Sequence, residues 1–148
     1  MMKKECIFCK ITSNKNDYCG TLKDFAYWRI IVSREQHTLS TLVIILKRHI
    51  VRFSSITKEE LLELNHIQKI LEEAIDQLFK PQLYNYLQCG NAVDHLHLHL
   101  IPRYKKNVKY GKKTFTDKRY GDSVKETSEI EETKIIEKLK KDLLNKIK

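Results

Sequence analysis

Long apolar runs are missing from this sequence of 148 residues. The longest strongly apolar run is Leu42–Leu46, whereas a membrane-spanning helix needs about 20 such residues. The opening MMKKECIFCK is basic but lacks the apolar segment of a secretory signal peptide. No internal repeat is evident. These absences predict a cytoplasmic protein that has no membrane partner.

Cysteine occurs at only four positions, Cys6, Cys9, Cys19 and Cys89. A chain of this length can form one domain with a substantial core, so it does not need disulfides for stability. In the cytosol we expect all four thiols to stay reduced. Cys6 and Cys9 form a CxxC pair, which by itself is a weak indication of a metal site. No role is predicted for Cys19 or Cys89.

Acidic residues are outnumbered, and the formal net charge is +9. The densest basic cluster is Tyr104–Lys113, which contains five lysines and no acidic residue. One interpretation is an electrostatic funnel that attracts an anionic substrate. The other is a solvated surface in a lysine-rich protein. The lysines do not accompany a base-reading motif, so no nucleic-acid partner is predicted.

Histidine is concentrated in the stretch DHLHLHLIPRY, where His95, His97 and His99 alternate with leucines. Residues two apart share one face of a strand, so this pattern predicts a half-buried strand that Ile101 and Pro102 end. Two histidines at this spacing can bind one zinc ion. Alternatively, an imidazole with one nitrogen held by a hydrogen bond can act as a nucleophile. A third interpretation is a few stray polar residues on an exposed face.

Patterns elsewhere predict further strands at Phe25–Val32, Leu42–Leu46 and Leu83–Cys89. Thr57 and Glu60 have the spacing of a capping box, which starts a long helix that Pro81 ends. Its apolar stripe is Leu61, Leu64, Ile67, Leu71, Ala74, Ile75 and Leu78. Residues 105–127 are predicted to be mostly loop. Glu129–Lys148 is predicted to be an amphipathic helix with Ile135, Ile136, Leu139, Leu143 and Ile147 on its apolar face.

The motif HLHLHLI, with its lead-in GNAVD and its exit IPRY, resembles that of the histidine triad (HIT) family. The segments ECIFCKI and LVIILKRHI also resemble blocks of that family, in the same order. The resemblance implies an α+β fold with a mainly antiparallel sheet and one long helix, to which a C-terminal helix is added. The matching blocks cover about residues 5–104. Residues 1–104 are expected to form the domain core, and 105–148 are expected to pack on the same domain. Many members are homodimers, and the terminal apolar stripe is a further reason to expect one.

The family's reaction is attack on the α-phosphate of a nucleotide conjugate, and its middle histidine is the nucleophile. The resemblance therefore implies that His97 becomes nucleotidylated, that His99 binds phosphate and helps the leaving group, and that His95 orients them. Gly90 and Asn91 are the implied substrate-binding lead-in, together with His99. Purine nucleotide conjugates, either dinucleoside polyphosphates or nucleoside phosphoramidates, are the expected substrates, and no organic cofactor is expected.

Some family members hold a structural zinc with residues that correspond to Cys6, Cys9, His49 and His95. One departure from the family is Thr41, which stands where many members have a fourth active-site histidine, and His37 is four residues away from that position. Two other functions stay open. One is a catalytically idle nucleotide-binding module, and the other is a zinc-dependent hydrolase that uses His95 and His97 as ligands.

Overall fold

The central element of the protein is a five-stranded antiparallel sheet, seen in a computed structural model that describes residues 5–13 and 20–148. Its helices are α1 (Ile7–Ser13), α2 (Lys58–Phe79) and α3 (Thr133–Leu144), with a 3₁₀ turn at Phe53–Ser55. Its strands are β1 (Thr21–Asp24), β2 (Trp28–Val32), β3 (Leu42–Leu46), β4 (Leu83–Leu87), β5 (His97–Arg103), β6 (Val108–Tyr110) and β7 (Lys113–Phe115). Cys19, for which no role was predicted, lies outside the described residues.

The strands of the main sheet follow the order β1-β2-β3-β5-β4, and β6 and β7 form a separate hairpin. β3 has the predicted bounds, and every residue in it is buried between two layers. One face of the sheet carries the main core, which includes residues of α2 and α3. The opposite face carries a smaller cluster around Ile31, Val43 and Ile45, and Ile11 of α1 packs on it. The mixed α+β fold predicted from the sequence is therefore confirmed.

The histidine strand is shifted along the chain relative to the prediction. β5 begins at His97 and continues through Pro102 to Arg103, so the prediction that Ile101 and Pro102 end it was wrong. β3 pairs with β5 only as far as Leu100, and Pro102 is paired with Tyr84 of β4. Proline is tolerated where one side of a strand has no ladder to join.

The long helix α2 starts as the capping box predicts. The Thr57 side chain accepts from the Glu60 N–H, and the Glu60 carboxylate accepts from the Thr57 N–H. Glu60 also pairs with Arg48, whose Nη2 lies 2.8 Å from Oε2. Most of the predicted stripe is buried, but Leu61 is 50% exposed and does not belong to it. No helix in residues 5–13 and 20–148 has the length and apolarity to cross a bilayer.

The terminal helix α3 packs on the main core, where Ile136, Leu139 and Leu143 are buried. The 105–127 segment was predicted to be mostly loop, but it contains the β6–β7 hairpin. These strands have only three residues each, which is too short for an alternating pattern to be recognised in the sequence. The hairpin is held because Tyr110 and Phe115 bury their rings in the core.

The predicted strand Phe25–Val32 is interrupted by a turn between β1 and β2. Phe25 N–H donates to the Trp28 carbonyl at 2.8 Å, which closes the turn. The N–H groups of Ala26 and Tyr27 donate to the Glu63 carboxylate of α2 at 3.0 and 2.7 Å. The Glu63 carboxylate on α2 therefore stabilises this turn, and local residue preferences in the sequence could not reveal that contact.

Candidate active site and metal centre

His97 lies on the sheet face opposite α2, next to Ile45 of β3. Its Nδ1 is 2.6 Å from the backbone oxygen of His95. A carbonyl oxygen only accepts, so Nδ1 carries the proton and donates, and Nε2 keeps its lone pair. Burial lowers the pKa of His97, although the hydrogen bond to His95 opposes this effect. His97 is therefore a neutral imidazole whose Nε2 is available as a nucleophile.

His99 is the neighbour of His97 on the same face, with ring centroids 5.2 Å apart. Burial, with further contributions from His97 and His37, lowers the pKa of His99 to about 4. Its Nδ1 is buried and has no hydrogen-bond partner among the described residues. Buried polar atoms without partners are rare, and functional sites are one of the places where they occur.

A cavity of about 530 Å³ lies over these two rings. This volume is within the range typical of small-ligand sites. Gly90 and Asn91, on the connection from β4 to β5, line it, and so does Phe8 of α1. Gly90 has φ +70°, a conformation that is strained for residues with a side chain. The predicted substrate-binding residues thus lie around one cavity with His97.

His37 also lines this cavity, although it is four residues away from Thr41, the position of the family's fourth histidine. Its ring centroid is 5.9 Å from that of His99. In an extended chain, this separation would place His37 well away from the position of Thr41. The chain between β2 and β3 is instead a compact loop, so counting residues along a strand does not give the position of His37.

Gln36 holds that loop together. Its side-chain oxygen accepts from the N–H groups of Ser40 and Thr41 at 2.7 and 3.1 Å. Its side-chain nitrogen donates to the carbonyls of Ser33 and Thr41 at 2.7 and 2.9 Å. Thr41 is fully buried, and its hydroxyl donates to the Thr38 carbonyl at 2.8 Å. Thr41 therefore belongs to the interior of the loop and does not line the cavity.

The cavity has a further wall that sequence reasoning missed. Glu126, Thr127 and Ser128, which precede α3, also line it. Thr127 N–H donates to His37 Nδ1 at 3.0 Å. Nothing in the local sequence signals this contact, because the two residues are 90 positions apart.

A second group of side chains lies beside the cavity, formed by Cys6, Cys9, His49 and His95. Their ligand atoms all lie within 4.8 Å of one another. His95 Nδ1 is 3.3 Å from Cys6 Sγ, 3.5 Å from Cys9 Sγ and 3.2 Å from His49 Nδ1. Around a tetrahedral zinc with bonds of about 2.0–2.3 Å, adjacent ligand atoms are roughly 3.3–3.8 Å apart. The three distances from His95 Nδ1 are close to this range, and no separation in the group exceeds 4.8 Å, so a small contraction would bring the four atoms to tetrahedral spacing.

The hydrogen bonds of His95 prepare it as a ligand. Its Nε2 is 2.6 Å from the Leu46 carbonyl oxygen, so Nε2 carries the proton. Nδ1 then presents its lone pair to the two sulfur atoms and to His49. Burial lowers the pKa of His95, which favours the neutral form that binds metals. The four residues can bind a metal ion, as the sequence predicted.

His95 does not line the cavity that contains His97 and His99. Its side chain belongs to the Cys/His group, and its carbonyl oxygen accepts the hydrogen bond from His97. Among the described residues, the group suited to a metal does not include His97. A zinc ion shared by His95 and His97 therefore has no support in this geometry.

The basic residues at the end of the histidine strand and just after it do not line the histidine cavity. Arg103 is 2% exposed, and its Nε donates to Asp117 at 2.6 Å. Its other donors bind the Asn85 side chain and the carbonyls of Arg119 and Asp122. Arg103 thus fixes the 117–122 loop. None of the five lysines of Tyr104–Lys113 lines the histidine cavity.

Comparison with known sequences supports the assignment made from the motifs. The HIT domain family matches residues 25–106. "Protein hit" of Bacillus subtilis is 32% identical over 116 residues, which cover 73% of this chain and 77% of that protein.

Solved structures share the fold at lower identity. A hypothetical histidine triad nucleotide-binding protein of Sulfolobus tokodaii aligns with a TM-score of 0.73 at 21% identity, covering 96% of this chain and 91% of that one. A zinc-bound histidine triad family protein of Mycobacterium smegmatis gives 0.66 at 19% identity, covering 95% and 94%. Diadenosine triphosphate hydrolase of Plasmodium falciparum gives 0.65 at 14% identity, covering 88% and 77%.

Proposed function

Because this chain belongs to the HIT domain family, we propose that it is a nucleotide hydrolase or transferase that uses His97 as a covalent nucleophile. Its substrates are purine nucleotide conjugates, either dinucleoside polyphosphates or nucleoside phosphoramidates. The fold is shared with a diadenosine triphosphate hydrolase, which is consistent with this class of substrate.

The hydrogen bond from His97 Nδ1 to the His95 carbonyl is the observation that carries this proposal. It selects the tautomer in which Nε2 has a lone pair, and it limits rotation of the ring. Nucleophilic catalysis needs both properties, since a free imidazole would spend part of its time in the wrong tautomer or orientation. His97 is also 6% exposed, so few waters compete for Nε2.

The proposed reaction has two displacements at phosphorus. His97 Nε2 attacks the α-phosphorus, a P–N bond forms, and the bond to the leaving group breaks with its electron pair. Water or another acceptor then attacks the same phosphorus, breaks the P–N bond and loses a proton, which restores neutral His97. His99, next to the reacting group, binds phosphate oxygen and assists departure of the leaving group. Gly90 and Asn91 bind the substrate at the opposite wall.

A quenched reaction tests the covalent step. Wild-type protein is mixed with adenosine and guanosine conjugates, stopped with a denaturant in alkaline solution, and digested for peptide mass analysis. We expect a nucleoside monophosphate on the peptide that contains His97, and His97→Ala is the matched control. An adduct on another residue, or turnover with no adduct in single-turnover conditions, would contradict the assignment.

We propose that Cys6, Cys9, His49 and His95 hold one structural zinc ion. Neither cysteine forms a disulfide within the described residues. Zinc would tie α1 to the sheet and neutralise two thiolates, which a reducing cytoplasm would keep available. Elemental analysis of protein purified without added metal should give about one zinc per chain. Protein without zinc, and with both thiols reactive, would rule this out.

The two alternative functions gain no support from the geometry. Idle nucleotide binding was suggested by the missing histidine at Thr41, but Thr41 does not line the cavity and His37 does. A catalytic zinc would need an open ligand position at the cavity, whereas the Cys/His group is buried beside it.

We further propose that the protein is a homodimer. β4 is at the edge of the main sheet, and among the described residues no strand pairs with its outer side. The terminal helix does not supply the reason predicted from the sequence, because its stripe is buried in its own core. Light scattering at micromolar concentration should give the mass of two chains, and a monomer mass would count against this assembly.

A further inference from the structure

His37 extends the row of histidines in the cavity by one imidazole from another part of the chain. The ring centroids of His97 and His99 are 5.2 Å apart, and those of His99 and His37 are 5.9 Å apart. His37 comes from the loop between β2 and β3 rather than from β5. The three rings therefore lie at one wall of the same cavity.

The hydrogen bond from Thr127 determines which nitrogen of His37 carries the proton. A backbone N–H only donates, so Nδ1 must accept with its lone pair at 3.0 Å. In the neutral ring the proton is then on Nε2. Among the described residues Nε2 has no hydrogen-bond partner. It is also absent from the set of buried polar atoms that lack a partner, so it is not buried. It therefore faces accessible space, and His37 lines the cavity.

We propose that His37 is a substrate-binding residue, whose Nε2–H donates a hydrogen bond to a non-bridging phosphate oxygen beside His99. This inference rests on the proposed function in one respect, because it assumes that a nucleotide phosphate occupies the cavity. It adds a donor at a position that the histidine motif does not contain, and it gives the segment before α3 a role in recognition.

The described residues around the cavity offer no cationic side chain to a phosphate. No lysine or arginine is among the described residues that line it, and its only charged lining residues are Glu35 and Glu126. Among the described residues, the donors that the cavity offers to a phosphate are therefore uncharged N–H groups. Burial lowers the pKa of His37, although Glu126 and Glu35 oppose this effect, so the ring can serve as a neutral donor.

The segment 124–131 is well placed to maintain this tautomer. Its attachment at Thr127 is followed by a second one, where Glu131 N–H donates to the Arg34 carbonyl at 2.9 Å. Arg34 and His37 belong to the same loop, so the two hydrogen bonds hold the segment against it. Removal of the Thr127 N–H would allow Nδ1 to take the proton and would leave Nε2 as an acceptor that faces phosphate.

Binding of AMP and of adenosine, measured by calorimetry, separates recognition of phosphate from recognition of the nucleoside. We expect His37→Leu to weaken AMP binding roughly 10- to 100-fold, as expected for a hydrogen bond to a charged group, and to leave adenosine binding unchanged. His37→Gln should restore most of the affinity, because its amide can accept from Thr127 and donate to phosphate.

Substitutions in the 124–131 segment test the tautomer. Thr127→Pro removes the N–H and should weaken AMP binding, whereas Ile130→Pro is a control in the same segment. Ile130 is 62% exposed and lies outside the cavity. In spectra of the wild type labelled with ¹⁵N-histidine, His37 should carry its proton on Nε2, and AMP should shift that resonance.

Two results would overturn the inference. One is AMP binding that His37→Leu leaves unchanged. The other is an equal loss of AMP and adenosine binding, which would indicate a purely structural role. The measurement is independent of turnover, so a wild type that binds AMP through His37 but forms no adduct would reject the proposed hydrolase and support the role of His37.

Discussion

Two groups of histidines, which the single residue Leu96 separates along the chain, differ in their surroundings and in their hydrogen bonds. His95 faces Cys6, Cys9 and His49 in a buried and closed arrangement. His97 and His99 face a cavity large enough for a ligand. The same residue type thus builds a candidate metal centre and a candidate nucleophile within five positions of the chain.

The difference comes from which ring nitrogen is bonded to a carbonyl. His95 donates from Nε2 to Leu46, and its lone pair on Nδ1 faces inward to the sulfur atoms. His97 donates from Nδ1 to His95, and its lone pair is on Nε2. Residue identity and spacing do not specify this choice. The backbone oxygen that each ring meets specifies it, and that depends on where β5 begins.

The largest effect should follow from His97→Ala. Loss of a covalent nucleophile should lower kcat on the order of 10⁴-fold or more, which exceeds the roughly 10²–10³ expected for a single hydrogen-bond donor. AMP should still bind, because Gly90, Asn91 and His99 remain. Steady-state kinetics and calorimetry on the same preparation check both halves. If His97→Ala kept most of its turnover, His97 would not be the nucleophile, and the two groups of histidines would not differ in this function.

Cys9→Ala should affect stability more than chemistry. Loss of a zinc ligand should lower the free energy of unfolding by on the order of 3 kcal/mol, or roughly 10 °C in Tm, and should release zinc. Cys89→Ala is the matched control, because Cys89 is exposed and outside the Cys/His group. Equal Tm values for the two variants would show that the group is not a stabilising metal site.

His99→Asn should have an intermediate effect on rate. The amide retains a donor but is smaller than an imidazole, so we expect kcat/KM to fall by about 10²-fold, the size expected for one contact to phosphate. Zinc content should not change. If zinc were lost with His99, the two groups would not be separate.

Stability should fall as the pH is lowered from 6.5 toward 4, partly through His99. Its ordinary pKa is 6.5 and its folded pKa is about 4, so over this range the unfolded chain binds a proton that the folded protein excludes. Protons favour the state that binds more of them, so the unfolding free energy decreases with falling pH. Denaturant titrations should show a smaller decrease for His99→Asn. A larger decrease for His99→Asn than for the wild type would contradict the lowered pKa of His99.

The smallest effect is expected from Lys105→Gln combined with Lys106→Gln. Neither lysine lines the cavity, so turnover should change less than about 2-fold at physiological salt, where exposed charges are screened over about 8 Å. Kinetics at low and physiological ionic strength check this. A large salt-dependent loss would favour the funnel interpretation of the basic cluster.

Sequence reasoning succeeded where the signal is local. The capping box at Thr57 and the apolar run Leu42–Leu46 each contain their own evidence, and the structure has both. The resemblance to the HIT family named the four ligands that the structure brings together. It failed at His37, because a side chain of Gln36 folds that loop in three dimensions. It also could not foresee Thr127, whose partner is 90 residues away.

The His95 carbonyl has a consequence for genetics. One residue supplies a ring to the Cys/His group and a backbone oxygen to His97, so the two sites are joined by covalent bonds through its α-carbon. A substitution at position 95 keeps this backbone oxygen but removes the ring that contacts Cys6, Cys9 and His49. We expect the loss of these contacts to lower heat resistance and to shift the oxygen that orients the His97 ring. Two independent screens, one for heat resistance and one for turnover, should therefore converge on the same codon.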